Sequence, residues 1–196
     1  MNFYISDLHL WHDNVIRFDK RPFADTNEMW QTIKANWNSV VGKDDTVYIL
    51  GDFIWKRDSQ QWQSLVPQLR GKKVLIKGNH DPKQFDREAR ALFIDIADYM
   101  EITDNGRHVI MCHYPILAFK GDYNPECYML YGHVHNTREA AYTQEFRNII
   151  RRRYTGERGE PLGQIIHVGC MEPYMSYTPR TLSQIIEGDA QTYPLK

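Results

Sequence analysis

Lys72-Lys73-Val74-Leu75-Ile76-Lys77-Gly78-Asn79-His80-Asp81 decides the fold. An apolar, strand-like run passes through one glycine into an amide, an imidazole and a carboxylate. The same arrangement recurs along the chain. Phe3-Tyr4-Ile5 leads into Ser6-Asp7-Leu8-His9, and Thr46-Val47-Tyr48-Ile49-Leu50 leads into Gly51-Asp52. Cys127 to Tyr131 leads into Gly132-His133-Val134-His135, and His113 follows a further apolar run, residues 107–111. Polar clusters placed this way sit on one rim of a sheet, where glycine lets the backbone turn sharply.

Helical patterns separate the first of these strands. Residues 26–41 carry Met29, Ile33 and Trp37 at helical spacing, with Asp25 or Thr26 as the N-cap and Gly42 as the stop. Residues 58–69 and 83–93 read as two more helices, the former weakened by Pro67. After residue 95 strands dominate. Residues 99–102 and 107–111 read as a hairpin around Asn105-Gly106, residues 164–168 as a late strand, and residues 140–153 as a helix. The alternation predicts an α/β sandwich with both parallel and antiparallel segments. With no Pro/Gly-rich linker or repeat, residues 1–196 read as a single domain.

Composition narrows the functional classes. A net charge of −1 gives no basic field for nucleic acid, which is therefore not favoured as a partner. No run approaches the roughly 20 apolar residues of a membrane helix. Three cysteines without a CxxC spacing argue against a disulfide framework and fit a reducing cytoplasm.

The clusters supply what two adjacent divalent ions require. Asp7 and His9 occupy alternate positions, as do His133 and His135. Asp52 is a carboxylate that could bridge, Asn79 adds a neutral amide oxygen, and His113 a further imidazole. Two carboxylates against two divalent ions leave a site net positive by about two charges, suited to an anionic substrate and a bound hydroxide. His80 directly follows Asn79, so its side chain points elsewhere. A rim histidine not bound to metal suits protonation of a leaving alkoxide.

Taken in order, D-x-H, G-D, G-N-H-[DE], H and G-H-x-H resemble the signature of the calcineurin-like metallophosphoesterase superfamily, with all five blocks between residues 7 and 135. The resemblance implies a four-layer α-β-β-α sandwich with two mixed sheets and a dinuclear site at the strand C-terminal ends. It implies one metal held by Asp7, His9, Asp52 and His135, and another by Asp52, Asn79, His113 and His133. His80 would act on the leaving group. His12, Asn14 and Arg21-Pro22-Phe23 are similar to a small bacterial and phage subgroup known mostly as predicted phosphoesterases. Val134 departs from the threonine of many relatives.

Around that set, His12, Asn14 and Arg21 are candidate substrate contacts, Arg21 because a guanidinium forks onto oxyanions. For His12 the alternatives are a surface or a supporting role. His108 and His167 read as structural. Arg151-Arg152-Arg153 reads as the solvated face of a helix rather than a polyanion site. Trp11, Phe53, Trp55 and Tyr114 either pack in the core or wall the leaving group. The expected activity is hydrolysis of a small phosphodiester or nucleotide, with nuclease, protein phosphatase or a silent metal-binding scaffold as alternatives. The expected cofactors are two divalent ions, manganese ahead of iron, zinc or nickel, since mixed O and N donors suit all four.

Overall fold

The computed structural model describes residues 1–55, 58–157 and 159–194. Two four-stranded sheets form its centre. The first runs β1 (Asn2–Ile5), β2 (Thr46–Ile49), β3 (Lys72–Ile76) and β4 (Asp95–Ala97), all parallel. The second runs β5 (Tyr99–Asp104), β6 (Arg107–Cys112), β7 (Cys127–Tyr131) and β8 (Gln164–His167). Here β5 pairs antiparallel with β6, while β6, β7 and β8 are parallel. The antiparallel pairs are thus gathered in the second sheet. Among the described residues the first has one antiparallel bridge, between Tyr4 and Arg180.

Strand alternation creates the layers. In the second sheet Val109, Met111, Leu130 and Ile166 face one core. Ile110, Met129, Tyr131 and Ile165 face another. The first core also takes Phe3, Ile5, Val47, Ile49 and Leu75, so the two sheets pack face to face. Helix α2 (Thr26–Val40) and α3 (Ser59–Leu65) cover the first sheet through Met29, Ile33, Trp37 and Trp62. Helix α5 (Arg138–Arg153) covers the far side of the second with Ala140 and Phe146.

Local chemistry explains most element ends. Asp25 caps α2 by accepting from the Glu28 amide at 2.8 Å. The β5–β6 turn puts Asn105 and Gly106 at φ 50° and 82°, as a two-residue hairpin loop needs. Helix α4 is only Arg87–Arg90, far shorter than residues 83–93, because Asp86 acts as its N-cap and accepts from Ala89. Pro67 converts the end of the 58–69 segment to a 3-10 turn, Val66–Gln68. Helices α1 (Asp13–Phe18) and α6 (Leu182–Thr192) and strand β4 have too few apolar repeats to be read from sequence. No helix among the described residues is long and apolar enough to cross a membrane.

The chain closes on its first strand. The Tyr4 amide donates to the Arg180 carbonyl at 2.8 Å, the Ser6 amide to Val168 at 2.9 Å, and the Cys170 amide to Ser6 at 2.9 Å. Both sides of β1 are thereby paired.

The arginine run departs from its sequence reading. Arg147 and Arg151 are buried, and both donate to Asp189 of α6, at 2.6 and 2.9 Å from its Oδ2. Only Arg152 and Arg153 face solvent. The helical period explains this: residues four apart share a face, and this face turns inward. Removing a shared buried carboxylate leaves two guanidiniums uncompensated. Asp189→Ala is expected to cost about 3–5 kcal/mol in urea denaturation. A change below about 1 kcal/mol would show that water replaces the carboxylate.

Candidate metal centre

Every candidate donor follows a strand, and most lie in unusual backbone. Asp7, His9, Asp52, His133 and His135 have φ of 56°, 47°, 52°, 72° and 41°. The left-handed region costs a non-glycine residue about 1–3 kcal/mol, although Asp and His tolerate it better than most. The loops are locked to one another. The Asp7 amide donates to Gly51 O at 3.1 Å, His9 to Asp52 O at 2.8 Å, and Gly132 to His113 O at 2.9 Å. Buried Asp81 accepts from the amides of Gly78, Asp52 and Phe53 at 2.8, 2.9 and 3.0 Å, joining the second and third loops. A Cβ on Gly78 would stand 2.3 Å from Asp52 Oδ1, so this approach requires glycine.

The donors converge on two neighbouring points. Around the first, His9 Nε2 and His135 Nε2 are 3.0 Å apart, His135 Nε2 is 3.4 Å from Asp7 Oδ1, and His9 Nε2 is 3.5 Å from Asp52 Oδ2. Around the second, Asn79 Oδ1 lies 3.1 Å from His113 Nε2 and 3.0 Å from His133 Nδ1, with His113 Nε2 3.6 Å from Asp52 Oδ2. Asp52 Oδ2 faces both groups.

The outer partners fix which ring nitrogens are free. His113 Nδ1 lies 2.8 Å from the Leu50 carbonyl, which only accepts, so Nδ1 carries the proton and Nε2 offers a lone pair. His135 Nδ1 lies 2.8 Å from the Asp19 carboxylate, so its Nδ1 also keeps a proton and Nε2 offers a lone pair once the ring is neutral. In neutral rings these lone pairs point at other acceptors, an arrangement that a cation satisfies. Ligands about 2.0–2.2 Å from one ion are separated by roughly 3 Å or slightly more, as these donors are. The residues therefore fit divalent metal.

Electrostatics agree. Burial would raise the Asp7 carboxyl, but hydrogen bonds from His135 and His167 hold it well below the usual carboxylate range. Burial pushes Asp52 up, His113 opposes this, and the Asp7 charge adds to it. Burial drives His9 down to about 2, leaving it neutral. Burial also lowers His135, but Asp19 and Asp7 outweigh it and hold that ring at about 9 in the metal-free chain.

Asp7, His9, Asp52, Asn79, His113, His133 and His135 are thus brought together. His80 stands beside them, its side chain 39% exposed and its Nε2 4.0 Å from Asp52 Oδ2, while its amide donates to Asp52 Oδ1. His12 stacks on Trp55, and Asn14 is exposed on α1. Arg21 corrects the sequence reading. It is buried, and its guanidinium donates to the carbonyls of Asp7 and Leu8 at 2.8 Å each and to Asp19. It clamps the first loop from behind and has no free fork for a phosphate. Phe53 is core, as is most of Trp11.

Sequence reasoning missed two supports. Asp19 orients His135 across 116 residues of sequence separation, for which the sequence carries no signal. His167, read as merely structural, ends β8 with Nδ1 2.7 Å from Glu172 and Nε2 3.7 Å from Asp7 Oδ2. It lies inside the run read as the strand 164–168, so it lacked the signal that marked the donors.

The profile of the family described as calcineurin-like phosphoesterase matches residues 3–180. The chain belongs to the calcineurin-like phosphoesterase family. Among curated proteins it is 34% identical over 134 residues to the uncharacterized protein MJ1445 of Methanocaldococcus jannaschii, covering 68% of each chain. It is 34% identical over 140 residues to the Gene 66 protein of Mycobacterium phage L5, covering 63% of this chain and 66% of that one. Among solved structures, the protein of unknown function AQ665 from Aquifex aeolicus superposes with a TM-score of 0.64 at 25% identity, over 95% of this chain and 98% of that one. As a calcineurin-like phosphoesterase, the chain is a metal-dependent hydrolase of phosphoesters.

Two outcomes follow for this phosphoesterase. Asp19→Ala is expected to weaken manganese binding by about 10- to 100-fold in calorimetric titration, with circular dichroism unchanged. The His135 proton must leave when metal binds, so below about pH 9 uptake releases a proton and tightens as pH rises. The sign for the metal-free chain is opposite. A folded value raised above the ordinary 6.5 stabilises fully below that pH, and the stabilisation is lost as pH climbs through about 9. Thermal melts of the chelated protein across that window check this.

Proposed function

We propose that this single unit, residues 1–196, hydrolyses small phosphodiesters or nucleotides with two divalent ions, manganese being favoured. The observation that carries the reading is Asp52 Oδ2, which faces His9 Nε2 on one side and His113 Nε2 on the other. One ion would be held by Asp7, His9, Asp52 and His135, the other by Asp52, Asn79, His113 and His133. When bound, such a pair supplies an acidified water and a clamp on phosphate oxygens.

The side chains define the remaining roles. Asp7 and Asp52 offset the positive charge while leaving the centre attractive to an anion. The Asp19 and Leu50 partners accept the Nδ1 protons of His135 and His113, so that Nε2 is the nitrogen each neutral ring would turn to metal. His80 is half-exposed and tied down through its backbone, so its imidazole is free to hand a proton to the departing oxygen. His12 acts behind Trp55 rather than on phosphate. Asn14, exposed one residue into α1, is a candidate contact for a longer ester arm.

The test is hydrolysis of bis-p-nitrophenyl phosphate by manganese-loaded protein. Asp52→Asn and His80→Ala are each expected to lower kcat by at least about 100-fold. Equal activity in all three proteins would sink the mechanism. Elemental analysis is expected to find two metal equivalents in the wild type, and chelation to abolish turnover.

A further inference from the structure

Exposed aromatic rings stand on both sides of the candidate centre. Tyr114 is 47% exposed and packs on His133 and His113, with ring centroids at 4.6 and 5.2 Å. Trp55 is 37% exposed, 4.8 Å from the His80 ring and 6.3 Å from that of His9. Trp55 is held in place. Its amide donates to the Leu10 carbonyl at 3.0 Å beside the Leu10–Ile54 bridge, and its ring lies flat on His12 at 3.6 Å with 1° between the planes. Phe18, 53% exposed, meets the edges of His12 and His135 at 5.8 Å each. Single exposed rings need no explanation, but several converging around one polar, anion-attracting centre mark a binding surface.

We propose that Trp55, backed by His12, is the platform on which the substrate's leaving alcohol stacks, and that this alcohol carries a planar aromatic ring. The inference rests on the reading of His80 as the group that protonates the leaving oxygen. Whatever departs past His80 lies one ring's width from Trp55. A nucleobase or an aryl ring gains from stacking on indole, while an aliphatic alcohol presents no matching face. His12 fixes the indole orientation in advance, so little side-chain freedom is lost on binding. Across the centre Tyr114 offers a surface to a second ester arm, which a monoester lacks. The substrate class is therefore a phosphodiester with an aromatic leaving alcohol.

Three diesters decide the matter with manganese-loaded protein: adenylyl-adenosine, the phenyl ester of thymidine 5′-phosphate, and a glycerol–glycerol phosphodiester. Trp55→Ala is expected to lower kcat/KM by roughly tenfold on a diester whose leaving ring the indole stacks and to leave the glycerol diester unchanged. Trp55→Phe should restore most of the loss. A fall confined to the first diester assigns a nucleoside, and a fall confined to the second an aryl alcohol. An equal fall on all three, or none on any, overturns the proposal. Calorimetric titration gives a readout independent of turnover. The wild type should bind adenosine 5′-monophosphate about tenfold more tightly than ribose 5-phosphate, and Trp55→Ala should erase the difference. If no diester is hydrolysed, the phosphoesterase reading fails, and the titration still decides the platform. No preference in the wild type, or one that survives Trp55→Ala, overturns it.

Discussion

Two carboxylates, Asp7 and Asp52, are held almost wholly out of water within one cluster of imidazoles. Burying like charges side by side is costly unless something compensates them. Part of the compensation is built into the backbone. The His133 amide donates to both Asp7 oxygens, and the His80 amide donates to Asp52 Oδ1. The remainder is a demand for cations, which the surrounding lone pairs express equally. The left-handed turns, the glycine contact and the Asp81 staple all hold the loops where that demand is concentrated.

The parallel topology makes this placement possible. In the first sheet β1, β2 and β3 all point the same way, so their following loops share one rim. In the second sheet β6, β7 and β8 do likewise. Seven donors from sequence positions 7 to 135 reach one place with short reach and little freedom. The strain in the turns is stored where the packed sheets can bear it.

The donors were legible because each is a polar residue directly after an apolar run, a local pattern. The strands were legible for the same reason, as was α2 with its Asp25 cap. What escaped is non-local or marginal. Arg21 has the right chemistry for phosphate, but its direction depends on where residues 7 and 8 lie in space. Arg147 and Arg151 look like solvent charges until Asp189 arrives from α6. Asp19 acquires its role only by proximity to His135. Helix α4 was overread because helical propensity through residues 83–93 yielded to the Asp86 cap.

The closure of β1 by residues 168–180 bears on how the chain matures. A strand with one side unpaired is a template for pairing with another chain. During synthesis β1 is made before the backbone that covers its outer side, which comes more than 160 residues later. Until then its apolar Phe3-Tyr4-Ile5 segment presents an open ladder. Closing it requires a contact of very high sequence separation, which slows folding. The nascent chain is therefore exposed to self-association until residues 168–180 have been made and docked.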